Sequence, residues 1–338
     1  MGYIISSKEH SLESKKIKKI EVNNKTKKYF VKKIFLISFS MFLLFMMLKD
    51  VQFNQIAASI KSANIKLLVI AFTLHAVGLT ISAVRWKMLL KSLKVKSNIF
   101  YLIKSYLVAI FFNHFIPSTI GGDSIRAYDS YKLGKDKSKG LVVIITDRFL
   151  GLLSLLVFVI VSTFLSVEVS SKIPNLALWI TFFSLTAFFV LLFILKPPVN
   201  FLRKITNSKN KIISKIAAGL LKIANAFSHF GDNKKILIKA LALSLLLQAN
   251  VVFYYYLISV ALGFNIHFFN FSLIIPLTIF TLMIPITVNG IGLRENVLFF
   301  FFSFFGIVKT QAIAFAWIEF SMLLLLGIIG GLVYLFRK

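Results

Sequence analysis

The chain has 338 residues, 58% of them hydrophobic and only 15% charged, with no cysteine. Soluble domains carry about a quarter charged residues, so this composition excludes an ordinary soluble enzyme, and the missing cysteines exclude disulfide, iron–sulfur and thiolate chemistry. The net charge of +28 sits in basic segments between long apolar runs, which suits loops facing anionic lipid headgroups and argues against nucleic-acid binding.

Residues 1–28 are polar and Lys-rich. They resemble a signal-peptide n-region, but no small-residue cleavage site follows, so they read as a basic cytoplasmic tail. Apolar runs follow at 29–48, 67–84, 141–165, 176–195, 240–262 and 312–336. Each approaches the roughly 20 residues that match the hydrocarbon thickness. Two further stretches, 99–133 and 272–305, are apolar but interrupted.

The first runs from Ile99 to Ile116, breaks at Pro117-Ser-Thr-Ile-Gly-Gly-Asp123 and continues to Leu133. Were 99–116 a full crossing, the loop 196–239, with ten Lys/Arg and one acid, would fall outside, against the positive-inside rule. A hairpin that enters and leaves on the cytoplasmic side instead places 33 of the 40 basic residues inside, among them Arg85 in the segment 85–104, and five outside. Arg148 and Arg294 lie within apolar runs. The second stretch breaks at Pro285-Ile-Thr-Val-Asn-Gly-Ile-Gly292. Its arms, at 1.5 Å per residue, reach only about 20 Å each.

The expected fold is all-α: a polytopic membrane protein with six full spans plus two re-entrant broken-helix hairpins, in one domain over 29–338. The order span, span, hairpin, span occurs twice, in halves 29–165 and 176–336. Three crossings per half invert the second half against the first, a transporter architecture. Residues 211–227 set Ile212, Ile213, Ile216, Leu220, Ile223 and Phe227 on one helical stripe with Lys211, Lys215 and Lys222 off it. This predicts either a helix in the cytoplasmic interface or one capping the bundle.

Non-helical backbone at membrane depth survives only where protein or a wet cavity satisfies it. Beyond each break a new helix begins, and its free N–H groups and dipole favour an anion. Arg126 and Arg294 add charge and a planar fork suited to phosphate. Candidate lipid-binding residues are Asn113, Pro117, Gly121, Gly122, Asp123, Arg126, Asp147 and Arg148 around the first break, and Pro285, Asn289, Gly290, Gly292, Arg294 and Glu295 around the second. Ser118, Thr119 and Thr287 lie at similar depth. Asp147 and Arg148 cannot face one another on a helix, so each needs a partner elsewhere. The same charges, with Glu319, equally suit mutual pairs that fix helix packing. His75 reads as a packed, hydrogen-bonded histidine rather than a ligand, and His114 as a slightly better ligand candidate. The five His lack metal-ligand spacing, and no metal or cofactor is expected.

Three ordered motifs carry a resemblance: Asn113-His-Phe-Ile-Pro-Ser-Thr-Ile-Gly-Gly-Asp-Ser-Ile-Arg126, Asp147-Arg148-Phe-Leu-Gly-Leu152 and Pro285-Ile-Thr-Val-Asn-Gly-Ile-Gly-Leu-Arg-Glu295. From about residue 30 to 336 the chain resembles the lysylphosphatidylglycerol synthase transmembrane region, or flippase-like domain, family. In the third motif Asn289 stands where that family often has Gly. The resemblance implies a lipid flippase-like protein that binds and translocates an anionic or aminoacylated phospholipid, or another lipid-linked headgroup. It also implies an alternative, a membrane subunit of a phosphatidylglycerol lysyltransferase or lipid glycosyltransferase system, catalytic only with a transferase partner. The aminoacyl-transferase domain of two-domain members has no counterpart in this sequence, so the chain is not expected to be an enzyme by itself. The expected location is the cytoplasmic membrane of a bacterium or archaeon, with both termini cytoplasmic.

Overall fold

The computed structural model describes residues 34–49, 51–115, 121–228, 230, 234–284 and 286–337. The basic tail 1–28, residues 116–120 with Pro117, Ser118 and Thr119, and Pro285 lie outside the described residues. No described residue is in a strand. The helices are α1 (Ile34–Leu48), α2 (Phe53–Lys61), α3 (Ile65–Ser92), α4 (Ile99–Phe115), α5 (Gly121–Gly134), α6 (Lys137–Leu165), α7 (Val167–Ser170), α8 (Leu176–Leu195), α9 (Val199–Thr206), α10 (Lys211–Ser228), α11 (Lys234–Ala261), α12 (Phe268–Leu282), α13 (Leu293–Ser303) and α14 (Lys309–Leu335).

Five described helices, α3, α6, α8, α11 and α14, are long and apolar enough to cross a membrane. They fall on five of the predicted spans. The sixth predicted span is represented by α1, which meets that test only together with α2, and the two are bent by 82°. One predicted boundary is corrected: Arg85 is not in a loop, because α3 runs on to Ser92. Long basic side chains at helix ends carry their charge to water along an apolar stem, so helix continues past the point where apolar sequence stops. The start of α3 is fixed locally: the Asn64 side chain accepts the Lys66 and Leu67 N–H groups at 3.0 and 3.4 Å, a helix N-cap.

Both interrupted stretches are helical hairpins. In the first, Gly122 abuts Ala109 and Asn113 while Asp129 meets Tyr101 and Ser105, so α5 runs back along α4. In the second, α13 likewise packs on α12. The long helices pair antiparallel too. Across the α3–α11 seam the Asn64 N–H donates to Ala261 O at 2.8 Å, His75 lies 4.3 Å from Tyr254 and Arg85 reaches Ser244.

The packing largely maps onto itself when the halves are exchanged. The pairs α4–α5, α5–α6, α4–α14 and α3–α4 answer to α12–α13, α13–α14, α12–α6 and α11–α12. The α3–α11 pair answers to itself with its direction reversed. The correspondence is incomplete: α6 also packs on α10 and α11, whereas α14 packs on α2.

The tightest contact joins the first hairpin to the last span. A Cβ on Gly330 would stand 1.9 Å from Leu107 O, and one on Gly331 2.9 Å from Phe111. Only glycine lets the two backbones approach so closely, the general device of membrane helix packing. Gly330→Ala is therefore expected to overpack α4 against α14 at a cost of about 1–3 kcal/mol or more, measured as a lower melting temperature in detergent. An unchanged melting temperature would mean that the two helices are free to part.

Below that contact, beyond the end of α14, Arg337 forms two 2.8 Å bonds to the Asp129 carboxylate and lies 4.4 Å from the Tyr101 ring. Burial alone would lower the Arg337 pKa, but the bonded Asp129 outweighs it and the pKa is raised. This clamp ties the last span to both arms of the first hairpin.

Candidate functional site

The first break is closed by Asn113. Its side-chain oxygen accepts the Gly122 N–H at 2.9 Å, satisfying one of the donors left free at the start of α5. A Cβ on Gly122 would sit 2.5 Å from Ala109 O, so glycine is required there. About one turn later Arg126 enters the interior. Its guanidinium lies 4.1 Å from the Tyr106 ring and 4.8 Å from the Trp86 ring, two rings that stand edge to face 5.3 Å apart and form an aromatic corner for the cation.

Asp147, ten residues into α6, takes two arginines. Arg126 Nη2 meets Oδ2 at 2.8 Å and Arg85 Nε meets Oδ1 at 2.7 Å. Arg85 Nη1 also donates to Ser244 Oγ at 2.6 Å. Arg148 faces elsewhere, to Asp123 at 2.6 Å, and Asp123 lies 3.6 Å from Arg126 Nη1. Three arginines thus share two aspartates, an excess of one positive charge. The buried Nε of Arg126 has no hydrogen-bond partner among the described residues.

The second break is built from left-handed backbone. Asn289, Gly290 and Gly292 have φ of 54°, 77° and 80°. Asn is among the few residues that tolerate this region, so Asn289 holds the turn where the family often has Gly. Gly292 is also wedged against α1, where a Cβ would meet Ser40 O at 2.7 Å. Ser40 Oγ accepts the Val288 N–H at 2.8 Å and the Glu295 carboxylate accepts the Gly292 N–H at 2.8 Å.

Arg294 pairs with Glu319 at 2.9 Å and lies 5.0 Å from the Phe320 ring. Glu319 stands ten residues into α14, as Asp147 does in α6. Here one arginine faces two glutamates, Glu319 and Glu295, a deficit of one positive charge. Arg294 Nε is buried without a hydrogen-bond partner among the described residues. Tyr254 and Tyr255 of α11 stand within electrostatic reach of Glu319.

The two breaks touch. Asn289 Nδ2 donates to His114 O at 3.0 Å, joining the start of one broken turn to the end of α4. The ring of His114 bonds within its own helix, to Ile110 O at 2.9 Å, and lies 6.3 Å from the Phe320 ring. Phe320 is eleven residues along α14, about 17 Å from its start, so the contact lies near the middle of that helix.

Sequence reasoning did not single out Arg85, Ser244, Trp86 or Tyr106. Arg85 ends an apolar run, where a basic residue reads as a topology signal. Its partners lie 62 and 159 residues away. His75 is packed against Tyr254, but its buried Nε2 has no hydrogen-bond partner among the described residues, contrary to the expected hydrogen-bonded histidine. A cavity of about 550 Å³ lies elsewhere, between α6, α11 and α12, and its lining, including Val157, Leu165, Leu245 and Phe268, holds no charged residue.

Residues 33–331 match the family described as the lysylphosphatidylglycerol synthase TM region. The chain belongs to this family. It is similar to two proteins named UPF0104 membrane protein. One, from Pyrococcus horikoshii, is 23% identical over 271 residues, covering 75% of this chain and 81% of the relative. The other, from Methanocaldococcus jannaschii, is 26% identical over 269 residues, covering 75% and 79%. All three motifs and both breaks fall within the matched region, so the arginine–carboxylate pairs are features of its family-like part.

Proposed function

We propose that this protein binds a lipid with an anionic headgroup and passes that headgroup between membrane leaflets, acting as a transporter rather than a catalyst. The observation that carries the reading is the first-break cluster. In the interior two buried arginines, Arg85 and Arg126, share the one buried carboxylate of Asp147, and Arg126 Nε has no hydrogen-bond partner among the described residues, while the exposed Arg148 pairs with Asp123 at the rim. An uncompensated charge in a low-dielectric interior costs several kcal/mol, and a lipid phosphate removes that cost. The glycine-bounded helix start of α5 adds a dipole of the right sign. We place the protein in the cytoplasmic membrane with both termini inside, because that arrangement keeps the basic segments on the cytoplasmic side.

The expected result in vesicles containing only this protein is movement of a headgroup-labelled phospholipid from the inner to the outer leaflet. A membrane-impermeant reductant would then quench nearly all the label. Quenching of only the outer leaflet's share would overturn the transport reading. The family's description favours one second reading, a membrane subunit working beside a lipid-modifying transferase. It predicts no movement in those vesicles and co-purification with the transferase.

A further inference from the structure

We infer that α9 and α10 form an anchor that lies on the cytoplasmic leaflet and binds its anionic lipid surface. The two helices fall between the end of α8 and the start of α11, two ends of spanning helices on the same membrane face. They pack on each other, tied by Ser214 Oγ donating to Thr206 O at 2.6 Å.

The apolar stripe of α10 is divided along its length. Ala224 and Phe227, in the C-terminal half, are buried, on a helix that packs against α6 and α8. In the N-terminal half the same stripe is uncovered: Ile212 is 71% exposed, Ile216 59%, and Ile213 and Leu220 also face outward. Phe201 on α9 is 64% exposed, while its neighbour Leu202 is buried. Large apolar side chains set out in a row at the mouth of a membrane bundle match the boundary between headgroups and acyl chains.

Charge selects the occupant. The segment 196–239 holds ten Lys/Arg against one acid, and Arg203, Lys204, Lys215 and Lys222 are exposed. On the helical wheel Lys215 and Lys222 lie away from the apolar stripe, so apolar contact and headgroup attraction are available together. A basic, apolar-faced helix is drawn to the negative leaflet through both. A second copy of this chain would bring the same positive field against itself. Because α10 packs on α6, which carries Asp147, the anchored surface shares a helix with the first-break cluster. The inference stands whether or not the protein moves lipid.

The sequence has no cysteine, so single cysteines give unambiguous spin labels. The full chain would carry one label at 212, 216, 220, 215 or 222, in phosphatidylcholine vesicles with or without phosphatidylglycerol. Collision with oxygen reports lipid, and collision with a water-soluble nickel chelate reports water. Labels at 212, 216 and 220 are expected to be oxygen-accessible and shielded from nickel, and those at 215 and 222 the reverse. Phosphatidylglycerol should increase the shielding at 212 and 216, and high salt should reverse that increase. The variant K204Q/K215Q/K222Q should lose the phosphatidylglycerol response while remaining inserted through its spans. Nickel access at 212 and 216 in both vesicle types would overturn the anchor. Spin–spin broadening between copies would assign the surface to self-association instead. Equal shielding with and without phosphatidylglycerol would overturn the anionic preference.

Discussion

Replacing Arg294 with alanine is expected to destabilise the fold by about 3–5 kcal/mol, the usual cost of stripping one partner from a buried ion pair. Glu319 is 1% exposed and Arg294 is its salt-bridge partner. Glu295 adds a second negative charge beside it, so removal of the arginine leaves two carboxylates in the interior. Thermal unfolding in detergent should show a large fall in melting temperature, and expression should drop with it. Adding Glu319→Gln should restore most of the loss, since it removes the stranded charge. An Arg294→Ala protein that melts like the wild type would show that Glu319 is satisfied by other groups and that the pair is not structural.

Arg126→Ala is expected to behave differently. Its carboxylate partner does not lose its only cation, because Arg85 also holds Asp147, at 2.7 Å. The variant should therefore be less destabilised than Arg294→Ala, while lipid transport falls by about tenfold or more, the scale of one lost hydrogen bond to a charged group. Arg126→Lys should be intermediate: it keeps the charge but loses the flat fork that lies against Trp86 and Tyr106. Transport assay and melting curve belong together here. Wild-type transport by Arg126→Ala would remove it from the lipid path. A stability loss equal to that of Arg294→Ala would make it a packing residue.

Much of this was legible in the sequence, for physical reasons that also mark where legibility ends. Spans follow from run length, and Pro and Gly clusters mark breaks because few other residues accept the backbone they need. Both helix starts, at Gly121 and Leu293, follow the predicted interruptions. The neighbours Asp147 and Arg148 do face different partners, Arg85 and Arg126 for one and Asp123 for the other. Arg85 was hidden because the end of a span and the interior of a longer helix look alike where basic residues snorkel. Short α2 and α9 were hidden because a helix of eight or nine residues offers barely two turns of periodicity. That Arg126 sits against two rings, and that Asp147 serves two arginines, are properties of the packed bundle with no local signature.

The touching of Asn289 and His114 also has an electrical consequence. A bilayer insulates over about 30 Å of hydrocarbon, but here the two hairpins touch through a 3.0 Å hydrogen bond. If water follows a headgroup into either hairpin, the membrane voltage falls across the short stretch between the tips. A unit charge crossing the whole potential gains or loses about 2.3 kcal/mol per 100 mV, so a short dielectric step would deliver most of that to a headgroup moving past this one contact. Movement of a lipid with net charge should then speed up under a diffusion potential of one sign and slow under the other. Rates indifferent to voltage would mean that the headgroup crosses the tips without net charge, its phosphate compensated by a proton or a cation that travels with it.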